Sequence, residues 1–380
     1  MRILHTSDWH IGRYFHQVAL LEDQAFVLEQ IVTIAVESKV DVVIIAGDLY
    51  DRSIPPSAAV SLVDKILTAL CYTHNIPVII IAGNHDSPER IGFAARQLKA
   101  AKLYVMGELD PEFPAIILND DHGEVAFYSL PYADPVCIRD IFSAESDIDE
   151  IRTHDDAMRY LSHKIAAKNN HSRTVAISHC FVAGGSGSES ERPLSIGGAE
   201  QVSSRHFASF SYTALGHLHG QQSQGGEHIR YSGSPLKYSF SEQNHKKSVT
   251  IVDLDGQGAV TTEQVILKPL RDMRTLEGQF DDLLEQAKTD PQPDDYLLIK
   301  LTDKVALIDP MAKLRQYYPN ILHLERSFYN QNKVSTKAID IDQNEMAMFT
   351  RFYQHYYGEG LDKKQTQYLA KLIDHLKAEE

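Results

Sequence analysis

Cysteine is scarce and unpatterned: the 380 residues hold three, Cys71, Cys137 and Cys180. An odd count with no Cys-x-x-Cys spacing argues against a disulfide framework and for a reducing compartment. Long apolar runs are also missing. The longest, near Val42–Ala46 and residues 78–82, are far too short to cross a bilayer. The opening residues, Met1-Arg2-Ile3-Leu4-His5-Thr6-Ser7-Asp8, lack an apolar core of signal-peptide length, so a cytoplasmic location is expected. Positive charge is short as well: 37 Lys and Arg stand against 52 Asp and Glu, a formal net charge of −15. Nucleic acid repels such a chain at long range. A role on nucleic acid therefore requires a local basic patch, metal ions, or a partner that holds the polymer. What is present is a globular balance, 43% hydrophobic and 23% charged, in a length that suits two or three domains.

One pattern recurs through the first 220 residues. A short run rich in β-branched residues stops, and a polar residue able to bind metal follows at once. Ile3-Leu4-His5-Thr6 leads to Asp8 and His10; Val42–Ala46 leads through Gly47 to Asp48. Residues 78–82 lead through Gly83 to Asn84 and His85; Thr174-Val175-Ala176-Ile177-Ser178 leads to His179. Tyr212-Thr213-Ala214-Leu215 leads through Gly216 to His217 and His219. Runs this short and apolar suit strands buried on both faces. Segments 24–38 and 58–70 separate some of them at helical spacing, with Phe26, Leu28, Ile31, Val32 and Ala35 in the first and Val60, Val63, Ile66 and Leu67 in the second. Strands alternating with helices imply an α/β layered core, in which ligands gather beyond the carboxyl ends of the strands.

Asp, Asn and His offer oxygen and imidazole nitrogen without thiolate, a set suited to manganese, iron or zinc rather than a four-cysteine zinc site. Asp8-x-His10 and His217-x-His219 place side chains two apart, which on extended backbone point the same way. Seven candidate ligands exceed one tetrahedral ion; two ions sharing a carboxylate would use them all. Taken singly, Asp-x-His is a common surface turn, Gly-Asp is common turn chemistry, and His179 alone would pass for a hydrogen-bonded core histidine. Five strand ends in series favour the metal reading.

In order, Asp8-Trp9-His10, Gly47-Asp48-Leu49-Tyr50-Asp51, Gly83-Asn84-His85-Asp86, His179 and Gly216-His217-Leu218-His219 resemble the calcineurin-like metallophosphoesterase superfamily. His5-Thr6-Ser7-Asp8-Trp9-His10-Ile11-Gly12 and Tyr231-Ser232-Gly233-Ser234-Pro235 narrow the resemblance to the SbcD family of nuclease subunits. The resemblance implies one metal on Asp8, His10, Asp48 and His219, and a second on Asp48, Asn84, His179 and His217, with Asp48 bridging and manganese as the usual ion. It implies exonuclease action on double-stranded DNA ends and endonuclease action on hairpins or single strands, in DNA end processing, repair and recombination. It further implies an SbcC-type ATPase partner with a coiled coil, a homodimer within a heterotetramer, and no membrane. His85 would protonate the leaving 3′ oxygen, a task suited to a group that titrates near neutrality. Asp86 either orients His85 or caps the following helix. Arg52 either grips phosphate or sits in an exposed turn before Pro55-Pro56. The Gly/Ser-rich stretch 183–200, directly after His179, either lines the substrate groove or is a plain mobile loop. A phosphomonoesterase on the same fold and a non-catalytic scaffold of an ATPase complex are the alternative functions.

Three domains are expected. Residues 1–268 form the metallophosphoesterase domain, closed by a strand at 249–254 before the turn Asp255-Gly256. Residues 269–337 form a small α+β cap. It holds a strand at Tyr296–Leu301, a helix from Asp309-Pro310 to Tyr317, and a strand at 321–325. The cap either shapes the DNA cleft, as the resemblance implies, or is a purely structural lobe. Residues 338–380 form a C-terminal helical hairpin broken by Gly358 and Gly360. Met346, Phe349, Phe352, Tyr353 and Tyr356 make one apolar stripe; Tyr368, Leu369, Leu372, Ile373 and Leu376 make the other. Asp362 with Gln365 resembles a capping box. So apolar a hairpin buries its stripe either in the protein's own core or, as the resemblance implies, on the ATPase coiled coil.

Overall fold

The chain builds its first sheet from runs whose two faces are both apolar. The strands β1 (Arg2–Thr6), β2 (Val42–Ala46), β3 (Val78–Ile81) and β4 (Leu103–Met106) lie parallel. Helices α1 (Leu21–Glu37) and α2 (Ser57–Thr68) lie in the connections between the first three. The chain then crosses to a second sheet, β5 (Ile116–Asp120), β6 (Gly123–Leu130), β7 (Thr174–His179), β8 (Tyr212–Gly216), β9 (Gln222–Ser223) and β10 (Ile229–Tyr231). It returns to the first sheet with β11 (Ser248–Leu254), antiparallel to β1, and β12 (Val260–Ile266), antiparallel to β11 at the sheet edge. The computed structural model describes residues 1–145, 148–192, 200–305, 307–326, 345–357 and 360–379, and these fall into two compact units, Met1–Met273 and Arg274–Glu380. Among the described residues the first unit's main sheets run β12-β11-β1-β2-β3-β4 and β9-β10-β8-β7-β6-β5.

Strand periodicity assigns the layers. On β2, Val43 and Ile45 face Leu28, Ile31 and Ala35 of α1 and Leu62, Val63 and Ile66 of α2. Val42, Ile44 and Ala46 face the other way, onto Phe127, Val175, Ile177, Tyr212 and Ala214 of the second sheet. Beyond that sheet, Ala126, Tyr128, Ala176 and Leu215 pack on Ala157, Met158, Leu161 and Ile165 of α3 (His154–Lys168). The expected α/β layered core is therefore four layers deep, helix, sheet, sheet, helix. The five strands noted in the sequence divide between the sheets, β1, β2 and β3 in one and β7 and β8 in the other. An apolar face reads alike whether it meets a helix or a second sheet, so the sequence could not separate them. The helix registers also differ slightly from the reading: Val27 and Leu62 are buried, while Phe26 and Val60 are 41% and 44% exposed.

In the second unit β13 (Met273–Gly278), β14 (Tyr296–Leu301) and β15 (Ile321–Arg326) form a sheet in that order, with β14 and β15 parallel. Its core joins Phe280 and Leu283 of α4 (Phe280–Ala287) to Leu297, Ile299, Leu314, Tyr318 and Ile321. The helix after Asp309 is α5 (Pro310–Leu314), shorter than expected; Asp309 has φ 47° and makes no side-chain cap. In the tail, α6 (Glu345–Tyr357) and α7 (Lys363–Glu379) are joined through a capping box. The Asp362 amide donates to Gln365 Oε1 (2.9 Å) and the Gln365 amide to Asp362 Oδ1 (2.8 Å). Along the apolar stripes Phe349, Phe352, Tyr368 and Leu372 are exposed, while Met346, Tyr353, Leu369 and Ile373 are half-buried. The expected cap–tail boundary at 337/338 and the break at Gly358 lie outside the described residues, as does 193–199 of the Gly/Ser-rich loop.

Candidate metal centre

The carboxyl ends of β1, β2, β3, β7 and β8 open onto one buried cluster. Asp8, His10, Asp48, His179, His217 and His219 are each at most 4% exposed, and Asn84 is half-buried beside them. The loop after β1 pairs with the loop after β2: Asp8 N donates to Gly47 O, His10 N to Asp48 O and Ile11 N to Leu49 O, each at 3.0 Å. The backbone there is not extended. Asp8 (φ 55°), His10 (φ 46°), Asp48 (φ 51°) and His217 (φ 106°) have positive φ, which costs each residue about 1–3 kcal/mol. Asp8 and His10 therefore meet through left-handed turns, not through the alternation of a strand. The glycines before the ligands make room. A Cβ on Gly47 would lie 2.2 Å from His179 Nδ1, one on Gly83 2.2 Å from Asp48 Oδ1, and one on Gly216 1.8 Å from Ala46 O.

Six of the seven expected donors link into one chain. His219 Nε2 is 3.1 Å from His10 Nε2, which is 3.6 Å from Asp48 Oδ2. Asp48 Oδ2 is 3.4 Å from His179 Nε2, which is 3.0 Å from Asn84 Oδ1, and that oxygen is 3.3 Å from His217 Nδ1. Asp8 shares one group of mutually close donors with His10 and His219 and another with Asp48 and His179. Donors about 2.1 Å from a metal stand roughly 3.0–3.4 Å apart along the edges of an octahedron or tetrahedron, so these spacings fit a ligand cage.

Proton positions agree with that fit. His179 Nδ1 donates to the Ala46 carbonyl (2.9 Å), so Nε2 faces Asp48 and Asn84. Burial works against charge on His179, but Asp48, Asp8 and the Ala46 carbonyl together raise the group to about 9. Positive charge is thus favoured where a cation would serve the same oxygens. Burial would likewise raise Asp48, yet the facing His179 holds it well below the carboxylate range. Burial, relieved only in part by His179 and His219, raises Asp8 to about 6; it lowers His217 to about 3 and His10 well below its ordinary value. The buried Nδ1 of His10 has no hydrogen-bond partner among the described residues. His5, by contrast, is spent structurally: Nε2 donates to Leu215 O and Nδ1 accepts from the Tyr212 hydroxyl.

His85 stands at the rim, half-buried, its ring 4.7 Å from that of His10 and edge-on to it. Its backbone N–H donates to Asp48 Oδ1 (2.8 Å) and Nδ1 donates to the Asp51 carbonyl (2.9 Å), which leaves Nε2 as the nitrogen able to exchange a proton. Asp86 neither orients His85 nor caps a helix. It accepts from the backbone amides of Gly83 (3.0 Å), Leu49 (3.1 Å) and Tyr50 (3.0 Å), tying the loop that bears Asp48 to the one that bears Asn84. Arg52 is 61% exposed and is paired only loosely, at 3.8 Å, with Asp51. The more enclosed cation is Arg13, which carried no motif signal: it donates to Asp51 Oδ1 and Ser190 O and lies over the Tyr238 ring. The described part of the Gly/Ser-rich loop does line the centre, because Glu191 Oε1 accepts from His219 N (2.8 Å). The second motif reaches it too: Ser232 Oγ lies 3.1 Å from Ser7 Oγ, which donates to Asp8 Oδ2.

The sequence model of the family described as Calcineurin-like phosphoesterase matches residues 1–221, and that described as Type 5 capsule protein repressor C-terminal domain matches 269–357. The chain belongs to the calcineurin-like phosphoesterases, whose fold, together with this donor set, implies divalent metal ions. Its curated relatives draw the family closer, to the SbcD subunits of the SbcCD nuclease. The chain is 35% identical over 377 residues to the SbcD nuclease subunit of Staphylococcus saprophyticus subsp. saprophyticus and 32% identical over 374 residues to that of Staphylococcus epidermidis, with 98% of each chain covered. Among solved structures, a dimetal phosphatase from Danio rerio is 12% identical with a TM-score of 0.37, over 70% of this chain and 98% of that one. No described helix is long and apolar enough to cross a membrane.

Proposed function

We propose that the chain is a two-metal nuclease that hydrolyses the DNA backbone together with an SbcC-type ATPase, as an exonuclease on duplex ends and an endonuclease on hairpins or single strands. The observation that carries this reading is the unbroken chain of six donors running through Asp48, with Asp8 converging on both halves. Asp8, His10, Asp48 and His219 would hold one ion and Asp48, Asn84, His179 and His217 the other, Asp48 serving both. Nitrogen and oxygen donors without thiolate suit manganese. Divalent ions held there supply positive charge against the phosphate and acidify water. His85, fixed by the Asp51 carbonyl, turns Nε2 toward the leaving 3′ oxygen and protonates it. Arg52, exposed at the rim, is a substrate-side contact.

The relatives named as part of SbcCD support the ATPase partner. So do the net charge of −15, which leaves the chain poorly suited to hold DNA alone, and the exposed Phe349, Phe352, Tyr368 and Leu372 of α6 and α7, the docking segment for that partner. The working complex is a heterotetramer containing two copies of this chain. The three free cysteines agree with a cytoplasmic setting. The test is purified protein with manganese on linear duplex, hairpin DNA and a phosphomonoester. Cleavage of DNA that chelator abolishes is expected, and hydrolysis of the monoester alone would overturn the proposal. His85→Ala should keep its metals and lose about 10²–10⁴-fold in turnover; loss of metal would make His85 a ligand instead.

A further inference from the structure

Behind His219, on the side away from the other donors, lies a fully buried carboxylate that no motif marks. Glu242 is 0% exposed. Its Oε2 accepts from Lys247 Nζ, and its Oε1 accepts from Tyr238 N (3.2 Å) and Ser239 Oγ (3.2 Å) and from Ser190 Oγ. Lys247, itself buried, also donates to Ser234 Oγ (2.8 Å) and to the His219 carbonyl (2.9 Å), so its three protons have three acceptors. So many donors around one carboxyl group require it to be the ionised acceptor.

Hydrogen-bond accounting then settles the ring. Ser190 Oγ has one proton; Glu242 as a carboxylate cannot donate across its short contact with Ser190 and so takes it, while Ser188 Oγ, 2.8 Å from Ser190 Oγ, gives its own proton to Glu191. Toward His219 the same oxygen offers only lone pairs, and His219 Nδ1 lies 2.5 Å away. Nδ1 must therefore carry the imidazole proton. The Nε2 lone pair is left facing His10 Nε2, 3.1 Å distant, on the side where Asp8 also converges.

We infer that Ser190 and Glu242 are positioning residues for the metal centre: the relay His219 Nδ1–H to Ser190 Oγ–H to Glu242 fixes the tautomer and direction of His219. The inference rests on the metal-centre reading above. Outer-shell partners of this kind, when removed, cost about 10–100-fold in metal affinity. One of the two comes from the Gly/Ser-rich loop, so that loop supplies a structural part of the centre and is more than a boundary of the groove. The Lys247 contact to the His219 carbonyl holds the backbone of the same residue; at ring nitrogen Nδ1 Ser190 Oγ is the hydrogen-bond partner, with Glu242 Oε1 next at 3.6 Å.

The test uses full-length protein labelled with nitrogen-15 histidine, stripped of metal, with His219 assigned by the resonance lost in His219→Gln. Ring-nitrogen shifts should report the Nδ1–H tautomer in the wild type and its loss in Ser190→Ala. In manganese titrations followed by calorimetry, Ser190→Ala should weaken one of two sites by about 10–100-fold, and Ser190→Thr should restore it. Glu242→Gln should do the same; if it fails to fold, Ser190→Ala carries the result, since Ser190 lies on a loop. An Nε2–H tautomer in the wild type, an unchanged tautomer in Ser190→Ala, or unchanged manganese affinity with a changed tautomer each overturns the inference. A wild type that binds no manganese would sink the metal reading itself, and the metal-free spectra would still decide whether the relay exists.

Discussion

Removing the Asp86 carboxylate should loosen the two loops that carry Asp48 and Asn84. In Asp86→Ala the amides of Gly83, Leu49 and Tyr50 lose their acceptor at 3.0–3.1 Å. Gly83 and Leu49 are buried, while Tyr50 is partly open and can recruit water. An unsatisfied buried donor costs ~1–3 kcal/mol, so the two buried amides together cost about 2–6 kcal/mol, a large share of the ~5–15 kcal/mol that holds a domain folded. With a urea slope of ~3 kcal/mol/M the unfolding midpoint should fall by about 0.7–2 M. Asp86→Asn keeps one acceptor oxygen and should fall less. The assay is urea unfolding of chelated protein, with metal content measured in parallel. An unchanged midpoint in Asp86→Ala would refute the argument. Lost turnover with unchanged stability would instead revive an orienting role toward His85.

Two further outcomes follow from the same geometry. Metal-free protein should lose stability as pH rises. His179 is raised to about 9, so its contribution is complete below its ordinary 6.5 and disappears as pH passes 9, while the raised Asp8 and Asp86, at about 6 and about 7, act in the same direction lower down. Between pH 7.5 and 9.5, above the ordinary 6.5 at which the lowered His5, His10 and His217 act the other way, melting temperatures should fall, and manganese should narrow the gap; a metal-free protein steadier at pH 9.5 than at 7.5 would contradict the assignment. Truncation after Lys337 should leave a metal-binding core that cuts short or single-stranded DNA and should abolish co-purification with an SbcC-type ATPase. Undiminished binding would place the docking surface elsewhere.

The donors were legible because each interrupts an apolar run where a strand must stop. The glycines at 47, 83 and 216 were legible as turn residues, but their purpose was not. Only the structure brings Ala46 O within 1.8 Å of where a Gly216 Cβ would stand. The division into two sheets was hidden because Val42–Ala46 is apolar on both faces, and nothing in its alternation says which face meets a helix. The left-handed turns at Asp8 and His10 were hidden because residue type alone rarely signals a positive φ outside glycine. Glu242, Lys247 and Ser190 were missed for another reason. Buried polar networks have no period, and Ser190 lies 52 residues from its carboxylate partner. The aromatic hairpin was readable as an apolar stripe, since periodicity reports amphipathicity directly.

The central claim is that Asp48 is shared by two metal ions, and the most direct measurement is the metal stoichiometry of Asp48→Ala beside the wild type after dialysis against manganese. Two ions per chain are expected in the wild type and neither at full affinity in the variant, because both donor groups lose the same carboxylate. Asp48→Ala that retains two tightly bound ions and full nuclease activity would contradict the claim.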